Sequence, residues 1–244
     1  MRYLADKKYA VPIGKGKEKN AKKRVRMLLS VKIAVICSYA MTALRSAKIK
    51  RSFSLPSRIE ELIEYNKDFV ANKKYDDFRT SKSPDRKLAV VTCMDTRLTE
   101  LLPAALGVKN GDIKLIKTAG GVVSHPFGSI MRSLLVCIYT MGTEEIAIIG
   151  HHDCGMSSLD HRTLAQLMVT RGIPEKRLQW LEFYGIDFEK WLKGFDDVRE
   201  SVLHSMRFVL NHPLMPEGIL VHGLLMHPTT GKLDLLSTKR TSGL

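Results

Sequence analysis

Short apolar segments alternate with longer amphipathic segments along most of this chain. The run Leu-Ala-Val-Val-Thr at residues 88–92 is apolar up to its last residue, which is typical of a strand buried on both faces of a parallel sheet. By the same criteria, strands are predicted at residues 88–92, 113–118, 145–150, 218–225 and 232–236. The last segment follows the turn residues Thr230-Gly231 and is predicted to be an edge strand.

The intervening segments have apolar residues at the spacing of amphipathic helices. In the first of them, Ile59, Leu62, Ile63, Phe69 and Val70 form one apolar stripe among charged neighbours. Helices are predicted at residues 59–70, 98–105, 127–141 and 188–210. This alternation indicates an α/β fold, in which helices flank a mostly parallel central sheet of about four strands plus an edge strand, with right-handed crossovers.

The distribution of charge divides the chain in two. The 244 residues carry a net charge of +14, which on its own would suggest a nucleic acid or an anionic membrane as partner. However, residues 1–58 contain 16 Lys or Arg and two acidic residues, whereas residues 59–244 contain 23 of each sign. We therefore predict a basic leader at residues 1–53 and a single α/β domain at residues 54–244, which is long enough to bury one substantial core.

Three interpretations of the leader stay open: a disordered tail, a targeting segment, or an extension upstream of the true start site. Its apolar run at residues 33–44 is shorter than the about 18 residues that span a bilayer, so no stable membrane insertion is expected. Runs of like charge are usually solvated, so no nucleic-acid partner is expected either. Four cysteines in a chain of this length do not form a disulfide framework, which favours a cytoplasmic location.

Two short segments carry soft metal ligands. One contains Cys93, and the other contains His151 and Cys154. Each segment follows a predicted strand, and the carboxyl ends of parallel strands meet at one edge of an open sheet, where ligands bind. Two thiolates and one imidazole are donors that Zn²⁺ prefers, and three protein ligands leave a tetrahedral ion one open position. We also expect a helix to begin just after Cys154, where its dipole would favour a thiolate.

A structural zinc site is the alternative interpretation. Such sites are normally closed by four ligands from paired Cys-x-x-Cys or His-x-His units, whereas this chain has only His-x-x-Cys and one distant Cys. We therefore predict a catalytic site with one Zn²⁺ per chain. Asp95 and Arg97 lie beside the first thiolate and form a charged dyad, for which a salt bridge that only stiffens the loop is the other explanation.

The order Cys-x-Asp-x-Arg and then His-x-x-Cys-Gly resembles the β-class carbonic anhydrases, as does the intervening Thr118-Ala-Gly-Gly121. The resemblance runs from about residue 59 to about residue 237. It implies a lyase that reversibly hydrates carbon dioxide to bicarbonate and a proton by means of zinc hydroxide. It assigns Cys93, His151 and Cys154 as the zinc ligands.

The resemblance also implies roles for other groups. With Arg97 holding it off the metal, Asp95 would accept a hydrogen bond from the zinc-bound water, and in an inactive state Asp95 is a possible fourth ligand. Gly120, Gly121 and Val122 are expected to contact the substrate, although a tight turn explains the two glycines equally well. His125 and His152 are candidates to carry the proton away. A homodimer or higher even oligomer is implied, with the helix at residues 59–70 packed on a partner.

Two other functions stay open. The first is a hydrolase on the same scaffold that acts on COS or CS₂, because both are linear heterocumulenes suited to the same zinc hydroxide. The second is a non-catalytic zinc protein whose basic leader binds an anionic partner.

Overall fold

The computed structural model describes residues 57–157 and 159–242. The predicted leader at residues 1–53 lies outside the described residues. The contacts divide the chain into two compact units, Met1–Asn72 and Lys73–Leu244. In the first unit, the described segment forms helix α1, Arg58–Ala71, which confirms the helix predicted at residues 59–70. The helix begins with a capping box, in which Ser57 and Glu60 each bind the other's backbone N–H group.

The second unit contains a sheet of five strands in the order β2-β1-β3-β4-β5. The strands are β1 Leu88–Cys93, β2 Ile113–Thr118, β3 Glu145–His151, β4 Leu220–Met226 and β5 Leu233–Arg240. The first four pair in parallel, and β5 runs antiparallel to β4 at the edge. The predicted fold class, a mostly parallel sheet with one further edge strand, is confirmed.

Six helices in the described part of the second unit accompany the sheet. They are α2 Leu98–Leu106, α3 Ser129–Met141, α4 His161–Thr170, α5 Glu175–Phe183, α6 Phe188–Leu192 and α7 Val198–Leu210. The single helix predicted at residues 188–210 was wrong, because the chain leaves helical geometry at Lys193 and a new helix begins at Val198. Asp197 caps that new helix by accepting hydrogen bonds from the N–H groups of Arg199 and Glu200.

The core has two layers, one on each face of the sheet. Alternate residues of the strands point to opposite faces, so Val91 and Ile148 pack with helices α3 and α7, whereas Val90 and Ile149 pack with Leu102 of α2. The predicted buried hydrophobe Cys137 lies in the first layer and is 6% exposed. Both faces of the central strands are covered, which holds their carboxyl ends in a fixed relation to one another.

The chain reverses the direction in which it adds strands between β1 and β3. From β1 it moves outward to β2, and from β3 it moves the other way to β4. Loops that leave two such neighbouring strands diverge and open a crevice at their carboxyl ends. Among the described residues, no helix is both long enough and apolar enough to cross a membrane.

Candidate metal centre

The three predicted ligands converge at this crevice. Cys93 is the last residue of β1, His151 is the last residue of β3, and Cys154 lies three residues further on. Their ligand atoms all lie within 4.8 Å of one another, and the Sγ atoms of Cys93 and Cys154 are 3.8 Å apart. Two sulfurs each about 2.3 Å from a tetrahedral ion would lie about 3.8 Å apart, so the spacing fits a metal ion.

His151 is oriented as a metal ligand. Its Nδ1 lies 2.8 Å from the carbonyl oxygen of His152, which is the contact expected of a protonated Nδ1. Its Nε2 is therefore left with a free lone pair, and within the described residues this buried atom has no hydrogen-bond partner. Leaving a buried polar atom without a partner is costly. A metal ion between the two thiols would satisfy it.

The two thiols have pKa values that are shifted in opposite directions. Burial raises the pKa of Cys93, but the His151 imidazole and the backbone N–H groups of Asp95 and Gly120 outweigh it, so that the pKa is lowered overall. Burial, together with the neighbouring Cys93, raises the pKa of Cys154. Two thiolates at this separation repel each other, and a bound cation would lower both pKa values. The donor set therefore fits a divalent metal.

The expected helix at Cys154 is absent. The residues after Cys154 form a turn, and helix α4 begins only at His161, where Asp160 caps it. The prediction that a helix dipole favours the Cys154 thiolate was therefore wrong. A backbone N–H group of Met156 instead lowers the pKa of this thiol against the larger effect of burial.

Asp95 and Arg97 form the predicted pair beside the ligands. Arg97 donates from Nε to Asp95 Oδ1 at 3.1 Å and from Nη2 to Asp95 Oδ2 at 2.8 Å. These hydrogen bonds lower the pKa of Asp95 to about 2, so the carboxylate is ionised at neutral pH. Asp95 Oδ2 lies 3.8 Å from His151 Nε2. The carboxylate thus faces the position that a metal would occupy while Arg97 holds it from behind.

Asp153 is a member of this cluster that the sequence patterns did not single out. Arg97 donates from Nη1 to Asp153 Oδ2 at 2.8 Å and from Nη2 to the Asp153 carbonyl oxygen at 2.8 Å. The only signal in the sequence was its position inside the His-x-x-Cys segment. The guanidinium group is therefore shared between two acidic residues from two different loops.

The glycine turn lies directly against the candidate ligand Cys93. Gly120 and Gly121 have φ angles of +71° and +64° in a short 3₁₀ turn, Ala119–Gly121. A Cβ atom on Gly121 would lie 3.0 Å from the backbone nitrogen of Cys93, and one on Gly120 would lie 3.0 Å from the ring of Phe195. Close packing at the ligand loop thus requires both glycines. Val122 follows the turn and is half-buried.

The two candidate proton carriers lie on the surface. His125 Nδ1 accepts a hydrogen bond from the Phe127 N–H group at 3.0 Å. The exposed His152 ring lies 6.1 Å from the ring of His227, measured between centroids.

The fold and the site together define a mostly parallel α/β protein with a buried Cys-His-Cys group that could hold a metal ion at the strand switch point. A family model described as "Carbonic anhydrase" matches residues 88–233. The chain belongs to the β-class carbonic anhydrase family. The structure of β-carbonic anhydrase isoform I from Trichomonas vaginalis is 36% identical with a TM-score of 0.68, and the match covers 74% of this chain and 98% of that one.

Two curated relatives differ in the activity that they are named for. The Bacillus subtilis protein named "Putative carbonic anhydrase YtiB" is 49% identical over 74% of this chain and 96% of its own length. A carbon disulfide hydrolase from Acidithiobacillus thiooxidans is 33% identical over 68% of this chain and 85% of its own length. The family therefore includes proteins named for more than one reaction.

Proposed function

We propose that this chain is a zinc-dependent carbonic anhydrase, a lyase that interconverts carbon dioxide and bicarbonate with release of a proton. The observation that carries the proposal is the buried His151 Nε2, which lacks a protein partner and lies among two cysteine sulfurs and the Asp95 carboxylate. Cys93, His151 and Cys154 would hold one Zn²⁺ per chain. When bound, this ion supplies a Lewis acid that makes water nucleophilic near neutral pH.

The residues around the ligands orient the reactants and handle the proton. Asp95 Oδ2 accepts a hydrogen bond from the reacting water and so directs its lone pair toward carbon dioxide. Arg97 keeps Asp95 ionised and turned into the site, because it donates to both carboxylate oxygens. The three residues that would hold the ion are 1% to 6% exposed, which keeps bulk water away from their side chains.

Substrate contacts are proposed at the glycine turn. Gly120, Gly121 and Val122 follow β2 and lie at the same edge of the sheet as Cys93. Backbone N–H groups in such a turn suit a small anion such as bicarbonate. His152 and His125 are proposed to pass the released proton to solvent because both are exposed.

Hydrolysis of CS₂ or COS is the second candidate. It is favoured by the 33% identity to the carbon disulfide hydrolase named above. Substrate choice between linear molecules depends on the shape of the entrance more than on the metal ligands. We keep carbon dioxide as the first candidate because the relative with 49% identity is named for that reaction.

Stopped-flow hydration of carbon dioxide, on protein whose zinc content has been measured, tests the proposal. Sulfide release from CS₂ and COS is measured on the same preparation. We expect rapid hydration that Cys93→Ser abolishes and that Cys137→Ala, which changes a buried cysteine outside the site, leaves intact. Sulfide release without carbon dioxide hydration would transfer the assignment to the second candidate. Activity on none of the three substrates would favour the non-catalytic alternative.

We further propose a homodimer or higher even oligomer. Ile59, Leu62 and Ile63 of α1 are 54% to 63% exposed, and an apolar stripe of this kind is suited to burial against a second copy. Sedimentation equilibrium should show a dimer or tetramer that Leu62→Glu weakens and the neighbouring Glu61→Gln does not. A monomeric wild type would contradict the proposal. Cytoplasmic location and a dispensable basic leader stay proposals alongside it.

A further inference from the structure

Asp153 holds the Asp95–Arg97 pair from the opposite loop. Asp95 and Arg97 both belong to the loop after β1, whereas Asp153 belongs to the loop after β3 that carries His151 and Cys154. We propose that Asp153 is a positioning residue, which fixes the Arg97 guanidinium group and through it the place of Asp95 beside the metal. The inference deepens the proposed function and rests on its metal centre.

The geometry of Arg97 supports this role. Its Nε and Nη2 donate to Asp95, and its Nη1 donates to the Asp153 carboxylate. The Asp153 carbonyl oxygen accepts a second bond from Nη2. Asp95 alone would leave Arg97 free to move together with it, because the two residues lie two apart on one loop. The contacts to Asp153 set the distance of the pair from the loop that carries two of the three ligands.

The backbone at Asp153 is held in a conformation that most side chains avoid. Its φ angle is +54°, in the left-handed region that Asp, Asn and Gly adopt at the least cost. Asn and Gly are therefore substitutions that keep the backbone and change only the group presented to Arg97.

The ion pair is too exposed to be explained by stability alone. The side chain of Asp153 is 83% exposed and that of Arg97 is 41% exposed. Exposed ion pairs contribute little to folding because solvent screens them. An effect of Asp153 should therefore appear in the behaviour of the site and leave the unfolding midpoint nearly unchanged.

The experiment compares wild type, Asp153→Asn and Asp153→Gly by steady-state hydration and by the visible spectrum of the Co²⁺-substituted protein at pH 7. We expect full metal content, a kcat lowered about threefold to tenfold with KM unchanged, and an altered cobalt spectrum because Asp95 is less restrained. Two control variants should match wild type. Lys73→Gly changes another residue with positive φ, and Asp76→Asn removes another exposed partner of an arginine.

The same substitutions are repeated on an Arg97→Ala background. If Asp153 acts through Arg97, Asp153→Asn adds nothing further there. The proposal is overturned if the two effects add in full, if both Asp153 variants match wild type in kcat and spectrum, or if both lose the metal. The cobalt spectrum tests whether Asp153 positions Asp95 even if the wild type fails to hydrate carbon dioxide. Failure of the proposed function would therefore be distinguished from failure of this inference.

Discussion

Two histidines of the same sheet are placed near a carboxylate, and they differ in what their ring nitrogens contact. His222 on β4 has both nitrogens partnered: Nδ1 lies 2.9 Å from Thr238 Oγ1, and Nε2 lies 3.0 Å from Glu145 Oε2. His151 at the end of β3 is buried and, within the described residues, has a partner only for Nδ1. The first imidazole links three strands. The second retains a nitrogen that can bind a metal.

A carboxylate near an imidazole is therefore not by itself a sign of a metal site. Glu145 contacts His222 directly and satisfies it, whereas Asp95 is held by Arg97 at 3.8 Å from His151 Nε2. A buried nitrogen without a partner destabilises the fold unless something binds it. The imidazole nitrogen without a partner belongs to His151, at the carboxyl end of β3, whereas both nitrogens of His222 have partners.

The largest expected effect comes from removing the His151 imidazole. His151→Ala should abolish tight zinc binding, because two thiols alone cannot complete the donor set, whereas His222→Ala should retain one zinc per chain. Metal analysis after dialysis measures both. Cys93→Ser and Cys154→Ser should behave like His151→Ala. Full zinc content in any of these three would disprove the ligand assignment.

Next in size is the effect of the dyad on the rate. Asp95→Asn should lower carbon dioxide hydration about a hundredfold with zinc retained, because the amide is a poor acceptor for the reacting water's proton. Arg97→Ala should be most impaired at low pH, since an unrestrained Asp95 can then bind zinc itself, and hydroxide should partly rescue it at high pH. Stopped-flow rates across a pH series test both. Unchanged rates in both variants would mean that the pair only stiffens the loop.

A glycine from each end of the sheet allows a matched test of packing. Gly121→Ala should destabilise the protein by about 3 kcal/mol, because a positive φ strains alanine and its Cβ would lie 3.0 Å from Cys93 N. Gly142 has a φ of +69° and nothing within 4 Å of the place that a Cβ atom would take, so Gly142→Ala should cost only about 1–2 kcal/mol. Urea unfolding of both variants measures the difference. Equal losses would show that the ligand loop accommodates a methyl group.

A smaller effect is expected at the carboxylate that contacts His222. Glu145→Gln should destabilise the protein by at most about 1 kcal/mol, since the pair is partly exposed and the amide can still accept a hydrogen bond. Zinc content and hydration rate should not change. Thermal unfolding together with metal analysis checks this, and a loss of metal would show that the two ends of the sheet are coupled.

The smallest effect is expected from removing the leader. Both ends of the sheet lie within residues 54–244, so a protein that begins at Ser54 should fold, bind zinc and hydrate carbon dioxide like the full chain. Circular dichroism, metal analysis and stopped-flow rates test this. An insoluble or inactive truncated protein would require residues 1–53 to be part of the folded structure.

Several features could be predicted from the sequence because they depend on local chemistry. Short apolar or alternating segments next to turn residues predicted the five strands, and the cysteine and histidine side chains that follow two of them predicted a soft-metal site at one edge. Strand β3 includes His151, one residue beyond its predicted end at residue 150. Such features need only the pattern of residue types along the chain.

Other features were decided by tertiary structure because they depend on contacts between segments distant in sequence. Apolar periodicity continues through residues 193–197, yet the helix is interrupted there, where the N–H groups of Gly194 and Phe195 donate to the carbonyl oxygens of Leu159 and Met156. The chain also turns after Cys154, and helix α4 begins only at His161, behind its cap Asp160.

The residue types along the chain are enough to identify the candidate ligands and the strand that each of them follows. The distances across the site arise only on folding, such as 3.8 Å between the sulfurs of Cys93 and Cys154 and 2.8 Å between Arg97 Nη1 and Asp153 Oδ2. Ligand type is a property of single side chains. Distances across the site depend on the register of β1 against β3 and on a left-handed turn at Asp153, and both are fixed by packing of the whole sheet.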